Sequence, residues 1–413
     1  MELLSNMKND FVKKLRLDLH GRRALVLGGS RWQMELIRRI KDCGIKAIVA
    51  DINPDAMGKS IADDFISIDT SDLDGIVRLS KTLHVDFVIT DQTDRTVPIV
   101  AAVNERLGLP GILPDVAERF TDKHAQRVAL VDTGIPMPRF RKVNTPEDAI
   151  ECMKEWNCPI VIKPATLQSS IGVFKIDNLD DVEAVFQVSM SDSKASFLLA
   201  EEFVPGVEIT VESFVEDGHC HVLAVSEKEH YDYNPCVAKK LAYPPRFPDD
   251  RMDCIKHTAV LVVETLGLRE GISHAEYRVK DGVPYLVEVA ARGGGTGIAS
   301  IIVPHISGLD LYTALIARIH NIPLPQKSFT SRSAILEFLE FQPGRVKKIH
   351  GLEQVKSSGL AKMMELQFKA GDVIALPSDD RNRLGFCICL ADDRDGVEAK
   401  VAEVKNQIRV EYV

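Results

Sequence analysis

Three short stretches of this 413-residue chain set charged side chains beside serine or glycine, a combination suited to phosphate and metal-ion chemistry. The first is CPIVIKPATLQSSIGV, where Val161 to Lys163 reads as a strand delivering Lys163 at its polar end. Five residues on comes Gln168-Ser169-Ser170-Ile171-Gly172, then a second strand. An ammonium beside a hairpin of small residues suits a triphosphate, because serine and glycine N–H groups approach its oxygens closely. The second is LLAEEFVPGVEITVE, a strand running into Glu201, Glu202, Phe203 and Val204, a Pro-Gly turn, and an alternating strand from Glu208 to Glu212. Its backbone suits an adenine edge and its carboxylates suit ribose hydroxyls; a surface hairpin with solvated glutamates has the same pattern.

The third stretch, SHAEYRVKDGVPYLVEVAARGGGTG, reads as a hairpin turning at Asp281-Gly282. With a three-residue loop, Asp281 to Val283, Glu276 faces Glu288 across the ladder. Opposed like charges destabilise a sheet, so a hard divalent cation between them is the chemistry the pair suggests; two solvated glutamates are the alternative. Arg292 follows four residues after Glu288, placed for a transferring phosphoryl group where charge builds up. Gly293 to Gly295 allow close backbone approach to a ligand. GGGTG lacks the lysine of a phosphate-binding P-loop, which excludes that reading.

The elements that must position these groups begin with strand–helix alternation. RALVLGG (Arg23 to Gly29) reads as a buried parallel strand, followed by a helix from about Gln33 to Cys43 and the strand KAIVAD ending at Asp51. Further strands are expected at Phe65 to Ile68 and Asp86 to Asp91, with a helix from Val97 to Leu107. This predicts a doubly wound parallel sheet. GGSRWQ, with Asp51 ending the next strand, invites a nicotinamide reading, but it is not GxGxxG; a tight supporting turn is the plainer account. From about Phe120 to Pro325 the pattern becomes α+β, and Pro323 and Pro325 suggest a linker before a last region with strands AILEFLEF and LGFCICLA and a helix near Asp395 to Gln407.

Taken in order, these pieces resemble the ATP-grasp superfamily over nearly the whole chain. The matching features are a preceding Rossmann-like domain, Lys123 in FTDKHAQR, GIPMPRF before the lid, Lys163 before the small-residue loop, the EEFV hinge, and paired glutamates with an arginine. Within it the chain is most similar to single-chain carboxylate–amine ligases, especially bacterial L-amino acid ligases that make dipeptides, through EVAARGGGTG, VPHISGLDLYTALI and PGRVKKIHG. The resemblance implies α/β and α+β multidomain architecture: a Rossmann-like pre-ATP-grasp domain (1–115), the ATP-grasp lid (116–200), the second ATP-grasp subdomain with the metal site (201–328) and a small C-terminal α+β domain (329–413).

It also implies roles. Lys123 and Lys163, with Ser169, Ser170 and Gly172, contact the ATP phosphates; Glu201, Glu202, Phe203 and Val204 hold adenine and Glu208 the ribose. Glu276 and Glu288 bind Mg²⁺, or Mn²⁺ in its place. Lys163 and Arg292 act in the transfer, Arg292 on an acyl phosphate. His274, Arg278, Gly294 and His305 are candidates for substrate contact, as are Tyr231, Lys239 and Lys240 in a stretch read as a long loop. One departure stands out: many members have Asn two residues after the second metal glutamate, where this chain has Ala290. The implied activity joins a carboxylate to an amine, with amino acids as the expected substrates; a bicarbonate-using carboxylase-like enzyme and a non-catalytic nucleotide-binding regulator are the alternatives.

Composition agrees with this. Hydrophobic residues make up 45% and charged residues 27%, as in ordinary globular proteins. A net charge of −9 with no long basic run argues against nucleic acid as the main partner. No apolar stretch reaches the ~20 residues that span a bilayer. Met1 to His20 mixes charged and apolar residues as an amphipathic helix or arm does, without a signal-peptide core. The eight cysteines have no CxxC pair or ligand spacing, so reduced thiols in a cytoplasmic protein, expected as a homodimer, are the reading.

Overall fold

The computed structural model describes residues 2–193, 196–325 and 332–413, and side chains from residue 10 onward. A helix, Glu2–Asp18, leads into a four-stranded parallel sheet ordered Asp64–Ser67, Lys46–Asp51, Arg23–Leu27, Phe87–Ile89. The two middle strands are apolar and buried almost throughout, as expected of a sheet covered on both faces. Helices Met34–Asp42 and Val97–Leu107 fall where the periodicity predicts them. The second has Pro98 in its first turn and left-handed Gly108 at its C-cap.

The Gly28–Ser30 turn is internally satisfied. Gly29 N–H donates to Asp51 Oδ2 at 2.6 Å, and Ser30 and Gln33 form a capping box. Gln33 in turn donates to the Asp91 carbonyl at 2.7 Å. Asp51, the residue a nicotinamide fold directs at ribose, here ties two strand ends together.

The next unit is a four-stranded antiparallel sheet, Phe140–Val143, Leu198–Glu202, Ile160–Pro164, Phe174–Ile176, covered by helices Pro146–Trp156 and Val182–Ser193 around Trp156, Ile162 and Phe186. The expected border at 200/201 falls inside strand Leu198–Glu202.

The largest sheet has eight strands in the order Val283–Ala290, Gly271–Lys280, Val207–Glu216, His219–Tyr231, Asn234–Tyr243, Ser333–Phe338, Gly385–Ala391, Met363–Leu366. It joins the middle of the chain to its C-terminal region through antiparallel pairing of Asn234–Tyr243 with Ser333–Phe338. The expected border at 328/329 lies outside the described residues. Helix Arg394–Gln407 packs on this sheet through Val397, Val401 and Val404, and a three-stranded sheet (Val373–Ile374, Gly344–His350, Arg409–Tyr412) completes the C-terminal part.

Two local expectations change. The stretch read as a long loop is a hairpin, His219–Tyr231 with Asn234–Tyr243, so Pro235 sits inside a strand and alternation decides which side chains turn inward. Tyr231 is buried, while Lys240 pairs outward with Glu229 at 2.8 Å; neither they nor Lys239 line the cavity described below. The second change concerns the glutamate hairpin. Its turn has two residues, Asp281 and Gly282, both left-handed, so Lys280 pairs with Val283. Glu276 nevertheless pairs with Glu288, because a bulge at Val287 inserts the residue that the shorter turn removed.

Candidate active site

A cavity of about 470 Å³ lies among the lid sheet, the eight-stranded sheet and the ends of the parallel sheet. It is lined by Lys123, Lys163, Ser169, Ser170, Glu201, Glu202, Phe203, Val204, Glu208, His274, Glu276, Arg278, Glu288 and Arg292. Separate sequence stretches that each looked ambiguous thus converge on one space.

The lid end is an ion-paired core. Lys163 Nζ lies 2.7 Å from Glu201 Oε2, while the fully buried Arg127 donates Nε to Glu201 Oε1 at 2.9 Å. Both cations also reach the Val287 carbonyl, at 3.2 Å from Lys163 and 2.6 Å from Arg127. The bulge turns that carbonyl out of the ladder toward them. Burial holds Lys163 below the ordinary lysine range, partly offset by Glu201. Each Glu201 oxygen is therefore engaged by a buried cation. Phe203 N–H is likewise committed, donating to the Pro159 carbonyl at 2.9 Å. Glu202 N–H is committed too, donating to the Arg139 carbonyl at 2.9 Å, which leaves the Val204 backbone at the hinge beside the Phe203 ring, itself flanked by Lys175 and Arg278.

Lys123 opens helix Lys123–Leu130, which Asp122 caps. Its ammonium bonds the Leu167 carbonyl at 2.6 Å and Glu288 at 2.9 Å. Burial opposes that charge, yet Glu288 beside it raises the lysine above its ordinary range. Glu276 is held by Lys228 at 2.6 Å, and the same lysine reaches Glu208 at 2.9 Å. Although burial disfavours the Glu276 anion, Lys228 brings its pKa down to about 2. Glu208, opposed by burial in the same way, is kept well below the carboxylate range by Lys228, His230 and Arg278. Arg278 donates to it at 2.9 Å.

Two carboxylates on adjacent strands, each paired with a lysine ammonium, fit a hard cation of Mg²⁺ type that takes its remaining oxygens from phosphate and water. Groups of three or more such ligands do not occur among the described residues. Ala290 pairs with His274 in the ladder and supplies no donor. His274 Nδ1 donates to Glu212 Oε1 at 2.7 Å, with its other nitrogen 3.5 Å from Glu276; burial works against its charge, but Glu212 lifts it to about 9. It backs Glu276 from beneath.

The parallel-sheet domain holds the far side. Asp94 binds Arg292 through two bonds, 2.6 and 3.3 Å, and Asp91 accepts from Gly293 N–H at 2.8 Å and from the Tyr312 hydroxyl at 2.5 Å. Asp94 N–H also reaches Gln168 Oε1 at 2.7 Å, linking this domain to the small-residue loop. Ser169 and Ser170 are both left-handed, and the Ser170 hydroxyl donates to the Cys236 carbonyl at 2.9 Å.

Three expected residues lie off the cavity wall. Gly172 is backbone support, its carbonyl accepting from Ser189 at 2.7 Å. Gly294 packs under His274, where a Cβ would sit 3.0 Å from Nδ1 and 2.8 Å from Ile298. His305 is turned away, with Nε2 3.1 Å from the Ala391 carbonyl. Conversely, Lys228, Trp32, Gln92, Phe338, Asp380, Arg383 and Phe386 line the cavity without having been singled out. Lys228 stands in SEKEH, where flanking glutamates give it the look of a solvated strand; its alternation with Ser226 and His230 was the usable signal.

The fold and these charged walls define an ATP-grasp protein, and comparison with known proteins agrees. Residues 156–300 match the ATP-grasp domain family, and residues 337–413 match the L-amino acid ligase C-terminal domain 2. The chain therefore carries an ATP-grasp domain followed by a C-terminal domain of the L-amino acid ligase kind. It is 28% identical to the alanine–anticapsin ligase of Bacillus subtilis over 270 residues, which is 58% of this chain and 55% of that protein. Against such ligases the chain therefore spans about half their length. The L-amino acid ligase from Bacillus licheniformis superposes with a TM-score of 0.80 at 21% identity, covering 95% of this chain and 99% of that one. Carboxyaminoimidazole ribonucleotide synthase from Aspergillus clavatus superposes at 0.75 and 19% identity, covering 94% and 99%. No single helix among the described residues is long and apolar enough to cross a membrane.

Proposed function

We propose that the chain is an ADP-forming carboxylate–amine ligase that joins amino acids through an acyl phosphate. The observation that carries this reading is the convergence of Lys123, Lys163, Glu276, Glu288 and Arg292 on one cavity in a chain that also has the L-amino acid ligase C-terminal domain. Adenine lies against the Val204 backbone and Phe203, with ribose toward Glu208. The triphosphate runs past Lys163 and Lys123 under the Ser169–Ser170 loop. Glu276 and Glu288 hold Mg²⁺, whose chemistry when bound is to neutralise phosphate charge. With a metal held by Glu276 and Glu288, Lys123 and Lys228 would be free to pair with phosphate oxygens, and Lys228 would keep Glu208 as a partner. Arg292, kept in place by Asp94, meets the anion that builds up as phosphoryl passes to the substrate carboxylate. The amine then displaces phosphate, and positioning supplies most of the rate.

The test is ADP and phosphate release from Mg-ATP with amino acids singly and in pairs, with bicarbonate as a separate arm. Release that needs two amino acids, with a new dipeptide mass, is the expected result. Release with bicarbonate alone would move the chain to the carboxylase-like reading. ATP binding without release across the panel would overturn the amino-acid assignment.

A further inference from the structure

The cavity has one wall that the nucleotide and metal assignments leave unused. Trp32 from the parallel-sheet domain, Phe386 and Phe338 stand in a row, with ring centroids 6.3 Å apart between the first pair and 6.2 Å between the second. The guanidinium of Arg383 lies over the Phe338 ring at 3.4 Å. All four line the cavity. Leu241, Ile298 and Leu336 fill the space around them with further apolar surface. The row is braced from behind by Arg31, 4.2 Å over Trp32, which is ion-paired with Glu365.

Arg383 is the unusual member. Its side chain is only 12% exposed, and burial pulls its pKa down from the arginine range. Its Nε donates to the Asp380 carbonyl at 3.1 Å and its Nη1 to the Ala238 carbonyl at 3.2 Å. Nη2 makes no bond to the protein among the described residues. Asp380 Oδ1 comes within 3.2 Å of Nη1, but out of hydrogen-bonding alignment, and is itself a buried oxygen without a hydrogen-bond partner. The neighbouring Arg381, by contrast, is fully engaged with Asp379 and points largely to solvent. A guanidinium buried at the end of an aromatic row and lining the cavity, with one nitrogen unbonded among the described residues, suits a planar oxyanion attached to an apolar body.

We propose that Arg383 and the Phe338–Phe386–Trp32 row form the subsite for one amino-acid substrate, Arg383 binding its free carboxylate and the row its apolar side chain. The proposal rests on the ligase reading above and narrows its substrate class. The carboxylate that reacts must reach Arg292 and Glu288, so the one held at Arg383 is that of the amino acid contributing its amine. Asp380, 3.2 Å from the guanidinium, orients it and acts as a positioning residue.

The experiment measures KM separately for ATP and for each amino acid in the full-length protein, for wild type, Arg383→Lys, Arg383→Met and Asp380→Asn. The acceptor amino acid is tested beside its carboxamide. Losing a buried charged hydrogen bond predicts a rise in acceptor KM of roughly tenfold or more for Arg383→Met, with ATP KM unchanged. Wild type should prefer the free acid to the carboxamide, and the preference should vanish in Arg383→Met while Arg383→Lys retains part of it. A rise in ATP KM instead would assign Arg383 to the transferring phosphate and overturn the proposal, as would an unchanged free-acid preference. Phe386→Ala should lower selectivity for apolar over polar acceptors; unaltered selectivity would refute the role of the row. If wild-type protein turns over no amino acid pair, the ligase reading itself has failed, an outcome distinct from each of these.

Discussion

Two serine-containing turns of this molecule look alike in sequence and differ in what their backbone does. Gly28-Gly29-Ser30 follows a parallel strand where dinucleotide folds hold pyrophosphate, whereas Gln168-Ser169-Ser170 belongs to no such motif. In the structure the first turn is closed on itself: Gly29 N–H is held by Asp51, and Ser30 and Gln33 cap each other. The second turn faces the cavity, with Ser169 and Ser170 held left-handed by anchors on either side, Asp94 to Gln168 and Ser170 to Cys236. A site is marked by where a turn faces, into a cavity or into the fold, more than by the residue types that carry it.

The sharpest way to break this contrast is at the cavity itself. Glu288→Gln keeps an acceptor for Lys123 but removes the carboxylate charge that compensates its buried ammonium, so the melting temperature should fall while the fold is retained. ATP turnover should fall by roughly a thousandfold or more, since metal-assisted charge stabilisation contributes several kcal/mol. Near-normal phosphate release would refute the metal assignment. A smaller effect is expected at the open turn. Ser169→Val places a β-branched side chain at φ +64°, a strain of ~1–2 kcal/mol that lowers stability by up to that amount and, as the loop shifts to escape it, should raise ATP KM about five- to thirtyfold. An unchanged KM with a lower melting temperature would make that loop structural. The smallest effect belongs to the closed turn. Ser30→Ala removes a cap and should cost about 1 kcal/mol in denaturant unfolding while leaving ATP KM unaltered; a raised KM would show that this turn touches substrate after all.

Much of the architecture was readable because local patterns and tertiary demands agree in it. The buried strands Arg23–Leu27 and Lys46–Asp51, the helix Val97–Leu107 and the facing pair Glu276 and Glu288 all announce themselves by run length, periodicity or opposed charge. The pairing of the two glutamates was right for an incomplete reason, since the turn is shorter than assumed and the Val287 bulge restores the register. A bulge depends on what Arg127 and Lys163 require of one carbonyl, which no window of sequence contains. Lys228, Arg383 and Trp32 escaped for the related reason that each enters the cavity from a separate element. Only the assembled sheet shows that Lys228 bridges two glutamates, 20 and 48 residues away along the chain. His305 misled in the opposite direction: its position after a glycine-rich loop suggested a ligand contact, but its helix turns it toward the Ala391 carbonyl.

The eight-stranded sheet runs without interruption from the glutamate hairpin to Met363–Leu366. Cutting the chain ahead of residue 332 would strip Ser333–Phe338 from Asn234–Tyr243 and bare the edge along Lys240 to Tyr243. The remaining fragment would keep every residue assigned to ATP and metal, yet present a ready template for another copy of itself. The C-terminal region therefore completes the sheet edge of the preceding half, and expression of that half alone should give more aggregate than the full-length chain.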